Sequence, residues 1–104
     1  MAHVTWLVGT HDDLEAIAEF IGRHSPANAV LFIARIVEAA ERLSISPRRG
    51  RVVPEVGDET IRELLFQNYR IVYLIMDERV IIIAVVHAAM DLTTLISSRE
   101  WDIT

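Results

Sequence analysis

The sequence predicts one α+β domain, an antiparallel sheet packed on a helical hairpin, in the order β-α-α-β-β-β-α. Three observations carry that expectation. Apolar residues recur at helical spacing in the first half of the chain, and become dense and β-branched in the second. Proline and glycine gather between the halves, at Pro47, Gly50, Pro54 and Gly57. The 104 residues contain no repeat, linker or low-complexity stretch, so a single domain over 1–104 is expected.

His3 to Val8 is a short apolar run and reads as a strand. Thr10 suits a helix N-cap, with Asp12 and Asp13 in the first turn, where the helix dipole favours acids. Leu14, Ile17, Ala18 and Ile21 then mark one face of a helix over about residues 11 to 24. Ser25-Pro26 starts a second helix, with serine at the cap and proline in the first turn. Ala29, Phe32, Ile33, Ile36, Val37, Ala40 and Leu43 give it a wide apolar face that ends before Pro47. With almost nothing between them, the two helices should form an antiparallel hairpin.

Ser46 to Glu59 reads as a loop. Beyond it, Ile61–Phe66, Tyr69–Met76 and Arg79–His87 are joined by two-residue links, Gln67-Asn68 and Asp77-Glu78, as in a three-stranded meander. Val80 to Val86 is apolar on both faces, which suits a strand covered from both sides. Asp91 can cap a short final helix over Leu92 to Ser98.

Composition narrows the function classes. A chain that is 52% hydrophobic and 24% charged is not disordered, and its apolar excess points to a partner. There is no cysteine, so disulfides and thiolate metal sites are excluded, and no metal or cofactor is expected. No export signal or membrane-length apolar run is visible, so a cytoplasmic location is the expectation. Net charge is −5 and all ten basic residues are arginine, so specific nucleic-acid binding is not expected unless arginines cluster. Arg48, Arg49 and Arg51 are such a cluster, read either as a basic patch or as a solvated loop.

The order of elements, together with Ile61-Arg62-Glu63-Leu64 and Tyr69-Arg70-Ile71-Val72-Tyr73, resembles the RelE/ParE toxin superfamily. The loop from Ser46-Pro47-Arg48-Arg49-Gly50 to Pro54-Glu55 is similar to the helix-to-sheet segment of ParE-like members. The ending His87-Ala88-Ala89-Met90-Asp91-Leu92 resembles the ParE branch in particular. The superfamily implies two activities: RelE-like members cleave mRNA in the ribosome, and ParE-like members poison DNA gyrase.

Cleavage of RNA through its 2′-hydroxyl needs a group to take the proton and one to steady the developing phosphorane charge. RelE-like nucleases resemble one another in two lysines, two arginines and a tyrosine. Carried onto this chain, those positions fall on Ile61, Glu63, Arg70, Met90 and about Ile96, and only Arg70 is kept. An ordinary strand count places Glu63, Arg70 and His87 on one sheet face, either as an acid–base cluster or as a buried salt-bridged trio.

The ParE resemblance implies a toxin that binds rather than catalyses, holding gyrase or a related topoisomerase on cleaved DNA. Its expected contacts are Arg70, His87, Met90, Asp91, Arg99 and Trp101, with Met90 and Trp101 readable alternatively as packing of the last helix. The resemblance also implies a ParD-like antitoxin, in a hetero-oligomer with the toxin. Phe20, Val30, Leu31 and Ile45 lie off the apolar stripes of the helices and would suit an antitoxin helix. A RelE-type nuclease and a non-toxic relic of the fold are the alternatives.

Overall fold

The computed structural model describes residues 1–98. Its element order is β1 (His3–Trp6), α1 (Gly9–Gly22), α2 (Pro26–Glu41), β2 (Arg51–Val52), β3 (Ile61–Phe66), β4 (Tyr69–Met76), β5 (Arg79–His87) and α3 (Leu92–Ser98). Two 3₁₀ turns, Arg42–Ser44 and Pro47–Arg49, join α2 to β2. The expected order holds with one addition, the short strand β2 inside the segment read as a loop.

The strands form one sheet in the order β1-β5-β4-β3-β2. β2 to β5 run antiparallel, but β1 pairs with β5 in parallel, so the sheet is mixed rather than antiparallel throughout. Parallel neighbours need a crossover, and the rest of the chain supplies it. β5 is therefore an inner strand, and its apolar residues meet a covering layer on each face.

α2 begins as its sequence predicts: the Ser25 hydroxyl accepts a hydrogen bond from the Asn28 N–H, and Pro26 follows in the first turn. α1 does not. It starts at Gly9, Thr10 is buried inside it, and the Thr10 hydroxyl donates to the Leu7 carbonyl instead of capping. Asp13 turns away to the sheet, where its carboxylate accepts from the Val85 N–H at 3.0 Å. β1 has ended by that point, after pairing with β5 as far as Ile82, so Asp13 covers a strand donor that β1 leaves free.

Two apolar layers result. On one face of the sheet, Ile17, Ile36, Ala40 and Leu43 of the helical segments meet Ile71, Tyr73, Val80, Ile82 and Val85. On the other, Val72, Leu74, Ile81, Ile83 and Val86 are covered by Val53 of the loop and Leu92 of α3. Among the described residues no helix is long and apolar enough to cross a membrane.

Candidate functional site

The candidate site grows from the β3–β4 hairpin. Its two-residue link places Gln67 at a positive φ of 51° and pairs Leu65 with Arg70, so Arg70 shares a face with Glu63. Beside them β2 brings in Arg51, which pairs with Glu63 along the ladder. That approach depends on Gly50. A Cβ there would lie 2.5 Å from the Glu63 carbonyl oxygen and 2.6 Å from the Tyr73 hydroxyl, so glycine alone fits. The Tyr73 hydroxyl fastens the same bend, accepting from the Gly50 N–H at 2.9 Å and donating to the Pro47 carbonyl at 2.6 Å. Burial pushes the Tyr73 phenol up.

Arg70 sits at the centre, 5% exposed. Its Nε donates to Glu63 Oε1 at 2.6 Å, and its Nη2 lies 2.5 Å from the same oxygen. Nη1 and Nη2 grip the two oxygens of Glu55, each at 2.7 Å. Nη1 also donates to the Met90 carbonyl at 3.0 Å. A guanidinium has five N–H groups, and these partners occupy them. The second oxygen of Glu63 accepts from Arg51 Nε at 2.6 Å, and Glu55 Oε2 also accepts from the Leu92 N–H at 3.1 Å. Two arginines thus face two glutamates with zero net charge, which makes the burial of Arg70 and Glu63 tolerable, while Arg51 stays exposed. The Arg70 guanidinium holds the Glu55 carboxyl down at about 2, with help from the Leu92 N–H, and the carboxylates in turn raise Arg70 above its ordinary value.

Sequence reasoning paired Glu63 with Arg70 and missed Glu55. Nothing local signals it: Glu55 lies in an irregular segment, and only the fold brings it to Arg70. Half-exposed Leu65, directly across the ladder from Arg70, was missed as well.

His87 does not join this cluster. The β4–β5 register shifts between Val72 and Tyr73, which pair with Ala84 and Ile82 and leave Ile83 as an extra residue. One extra residue inverts every later side chain of the strand. Val86 consequently shares the face of Arg70, while His87 pairs with Tyr69 on the helix side. There the His87 ring meets Tyr69 edge to face at 5.8 Å, and its Nδ1 accepts from the Ala89 N–H at 3.1 Å.

The turn after β5 presents the other expected residues. Met90 is 45% exposed, and its N–H donates to the His87 carbonyl. Asp91 caps α3, accepting from the Thr93 N–H at 2.9 Å, and that bond lowers the Asp91 carboxyl below its usual range. Arg99 and Trp101 lie outside the described residues. The four remaining expectations therefore collapse to an exposed turn, Met90-Asp91 with His87 beside it, supported from beneath by a buried Arg70.

The expected antitoxin residues are exposed: Phe20 by 59%, Val30 by 71%, Leu31 by 53% and Ile45 by 70%. They do not form one surface. Phe20, Val30 and Leu31 lie towards the end of the hairpin where Gly22 approaches Ala29. Ile45 follows α2 at its far end, roughly 20 Å from Leu31 at the rise of a helix. Beside Leu31 a groove is lined by Ile21, Asn28, Phe32, Arg35 and Gln67.

The arginines do not converge as a phosphate site. Arg62 points to the face opposite Arg70, where it donates to the carbonyls of Glu59 and Gly50, and Arg51 is neutralised by Glu63. Among the described residues no group of three or more His, Asp or Glu side chains is placed to hold a metal.

Comparison with known proteins bears on the family and the fold. A family model described as the ParE toxin of type II toxin–antitoxin system, parDE, matches residues 4–92. Toxin RelE2 of Caulobacter vibrioides is 38% identical over 90 residues, covering 86% of this chain and 98% of that protein. A solved structure described as the chromosomal ParDE TA system from P. aeruginosa has a TM-score of 0.70 at 19% identity, covering 84% of this chain and 96% of its own. At that identity the likeness speaks for the fold alone. The match along residues 4–92 and the 38% identical relative place this chain in the ParE toxin family of type II toxin–antitoxin systems, within the RelE/ParE superfamily.

Proposed function

We propose that this chain is a toxin that acts by binding, holding DNA gyrase or a related topoisomerase on cleaved DNA, and that a ParD-like antitoxin silences it. The observation that supports this reading is the state of Arg70. It is the one residue kept from the nuclease set, and it is buried with its N–H groups occupied by Glu55, Glu63 and the Met90 carbonyl. A cation committed in this way cannot steady a phosphorane without breaking a buried ion pair. A binding toxin needs no such cation, and no cofactor.

The target contacts on this reading are Met90, Asp91 and His87, with Leu65 beside them and Arg99 and Trp101 following in sequence. The antitoxin takes the hairpin surface of Phe20, Val30 and Leu31 and the adjoining groove. Arg35 lines that groove, so an acidic residue on an otherwise apolar partner helix fits there. The site of action is the cytoplasm, where gyrase works.

A second reading keeps one observation in its favour: the 38% identical relative carries a RelE name. It makes this chain a ribosome-dependent mRNA endonuclease. Purified protein incubated with gyrase and supercoiled plasmid, then treated with detergent and protease, separates the two when translation is run in parallel. Linear plasmid with translation intact is expected. Blocked translation with untouched plasmid would establish the nuclease instead, and silence in both would leave a relic of the fold that only binds.

A further inference from the structure

Glu55 is a loop residue with no part in either activity described for the superfamily above, yet it touches both sides of the exposed turn. One of its oxygens accepts from the Leu92 N–H, at the start of α3. Both oxygens hold Arg70, whose Nη1 reaches the Met90 carbonyl. The backbone on either side of Asp91 is therefore fastened to one carboxylate, once directly and once through Arg70. Asp91 itself is exposed and Met90 is half-exposed, so the turn has no comparable burial of its own. α3 adds Leu92, fully buried, and the partly buried Leu95 and Ile96. A seven-residue helix is too short to be stable without such anchoring.

We infer that Glu55 is a positioning residue, which through Arg70 and the Leu92 N–H sets the orientation in which Met90 and Asp91 meet the target. The inference rests on the proposal that this turn is the target-binding surface, and adds the residue that shapes it. Glu55 touches no target itself. Its geometry requires two acceptor oxygens: one spans Arg70 and Leu92, and the other completes the grip on Arg70. Glutamine keeps the length and one carbonyl oxygen but loses the charge and the second acceptor. Alanine loses all of them.

The experiment compares full-length wild type, Glu55→Ala and Glu55→Gln in the plasmid assay with gyrase, in growth arrest on induced expression, and in amide hydrogen exchange. In Glu55→Ala the Leu92 amide is expected to exchange at least about tenfold faster, while the Val72 amide in β4 keeps its wild-type rate. Linear plasmid and growth arrest should fall about tenfold in the same variant. Glu55→Gln should recover part of both, in the same order as its Leu92 protection. A freed Leu92 amide with plasmid cleavage within about twofold of wild type would overturn the inference, and so would a Leu92 amide that stays protected. If alanine loosens Val72 as well, Glu55→Gln carries the comparison under the same criteria. A wild-type protein that arrests growth without linearising plasmid defeats the gyrase reading alone, and the Glu55 series is then decided on growth.

Discussion

On the helix side of the sheet, Ile36, Ala40 and Leu43 pack against Ile71, Tyr73 and Ile82, and the layer holds by area and fit. On the other side, Val53 and Leu92 close over a core that abuts Glu63 and Arg70, a pair that is buried to 1% and 5% exposure. The first layer gains from every apolar atom taken out of water. The second holds only while its charges stay matched, because an unpaired buried ion is far more unfavourable than a missing methyl group. The helix side is thus held by apolar burial, whereas the support beneath the exposed turn depends on its charges staying matched.

The comparison breaks most visibly at Arg70. Arg70→Leu leaves one oxygen of buried Glu63 without its partner, with only Arg51 still paired to the other, and frees Glu55; it is expected to destabilise the fold by about 3 kcal/mol in urea unfolding. The triple variant Arg70→Leu, Glu63→Leu, Glu55→Leu should recover most of that loss, since the cost belongs to unmatched charge and not to missing contacts. A single variant that loses less than about 1 kcal/mol would mean that the second face is held by packing alone.

Acid acts on the same network more gently. The folded-state carboxyl of Glu55 is depressed from an ordinary 4.5 to about 2, so its contribution is complete above about 4.5 and is lost as pH falls towards about 2. Melting temperature should decline across that window in the wild type, and less steeply in Glu55→Gln. Calorimetry at closely spaced pH values checks it.

Tyr73→Phe removes the hydroxyl that serves both the Gly50 N–H and the Pro47 carbonyl. The loss should be about 1–3 kcal/mol, with the β2 amides exchanging faster than those of β4. The smallest effect belongs to the helix side. Ser25→Ala deletes one exposed cap bond, at 3.3 Å to the Asn28 N–H, and should cost about 1 kcal/mol.

Legibility in the sequence divides along the same line. α2, the β3–β4 link and the coverage of β5 on both faces follow from local pattern: a Ser-Pro start, a two-residue turn and an apolar run on both faces. Glu63 with Arg70 was legible too, because a tight hairpin converts spacing into a shared face. His87 was misplaced for one reason, the extra residue at Ile83, which no local motif announces in an unbroken run of β-branched residues. Thr10 looked like a cap, but the helix begins two residues early, at Gly9, and Asp13 bonds to the sheet at Val85. Glu55 was illegible because its partners lie 15 and 37 residues away in the chain. The exposed apolar residues of the hairpin were visible as misfits to the helical stripes, although Ile45 proved to stand apart from the other three.

Arg70, with its N–H groups committed to Glu55, Glu63 and the Met90 carbonyl, supports the turn from within and is closed to a phosphate. The most direct measurement is the solvent exchange of the Arg70 Nε–H, followed by NMR, with and without a short RNA oligonucleotide. The Arg70 Nε–H is expected to exchange far more slowly than that of the exposed Arg23 or Arg42, and to be unchanged by RNA. An Nε–H that exchanges at the rate of the exposed arginines and shifts when RNA is added would contradict it, and would return Arg70 to the nuclease.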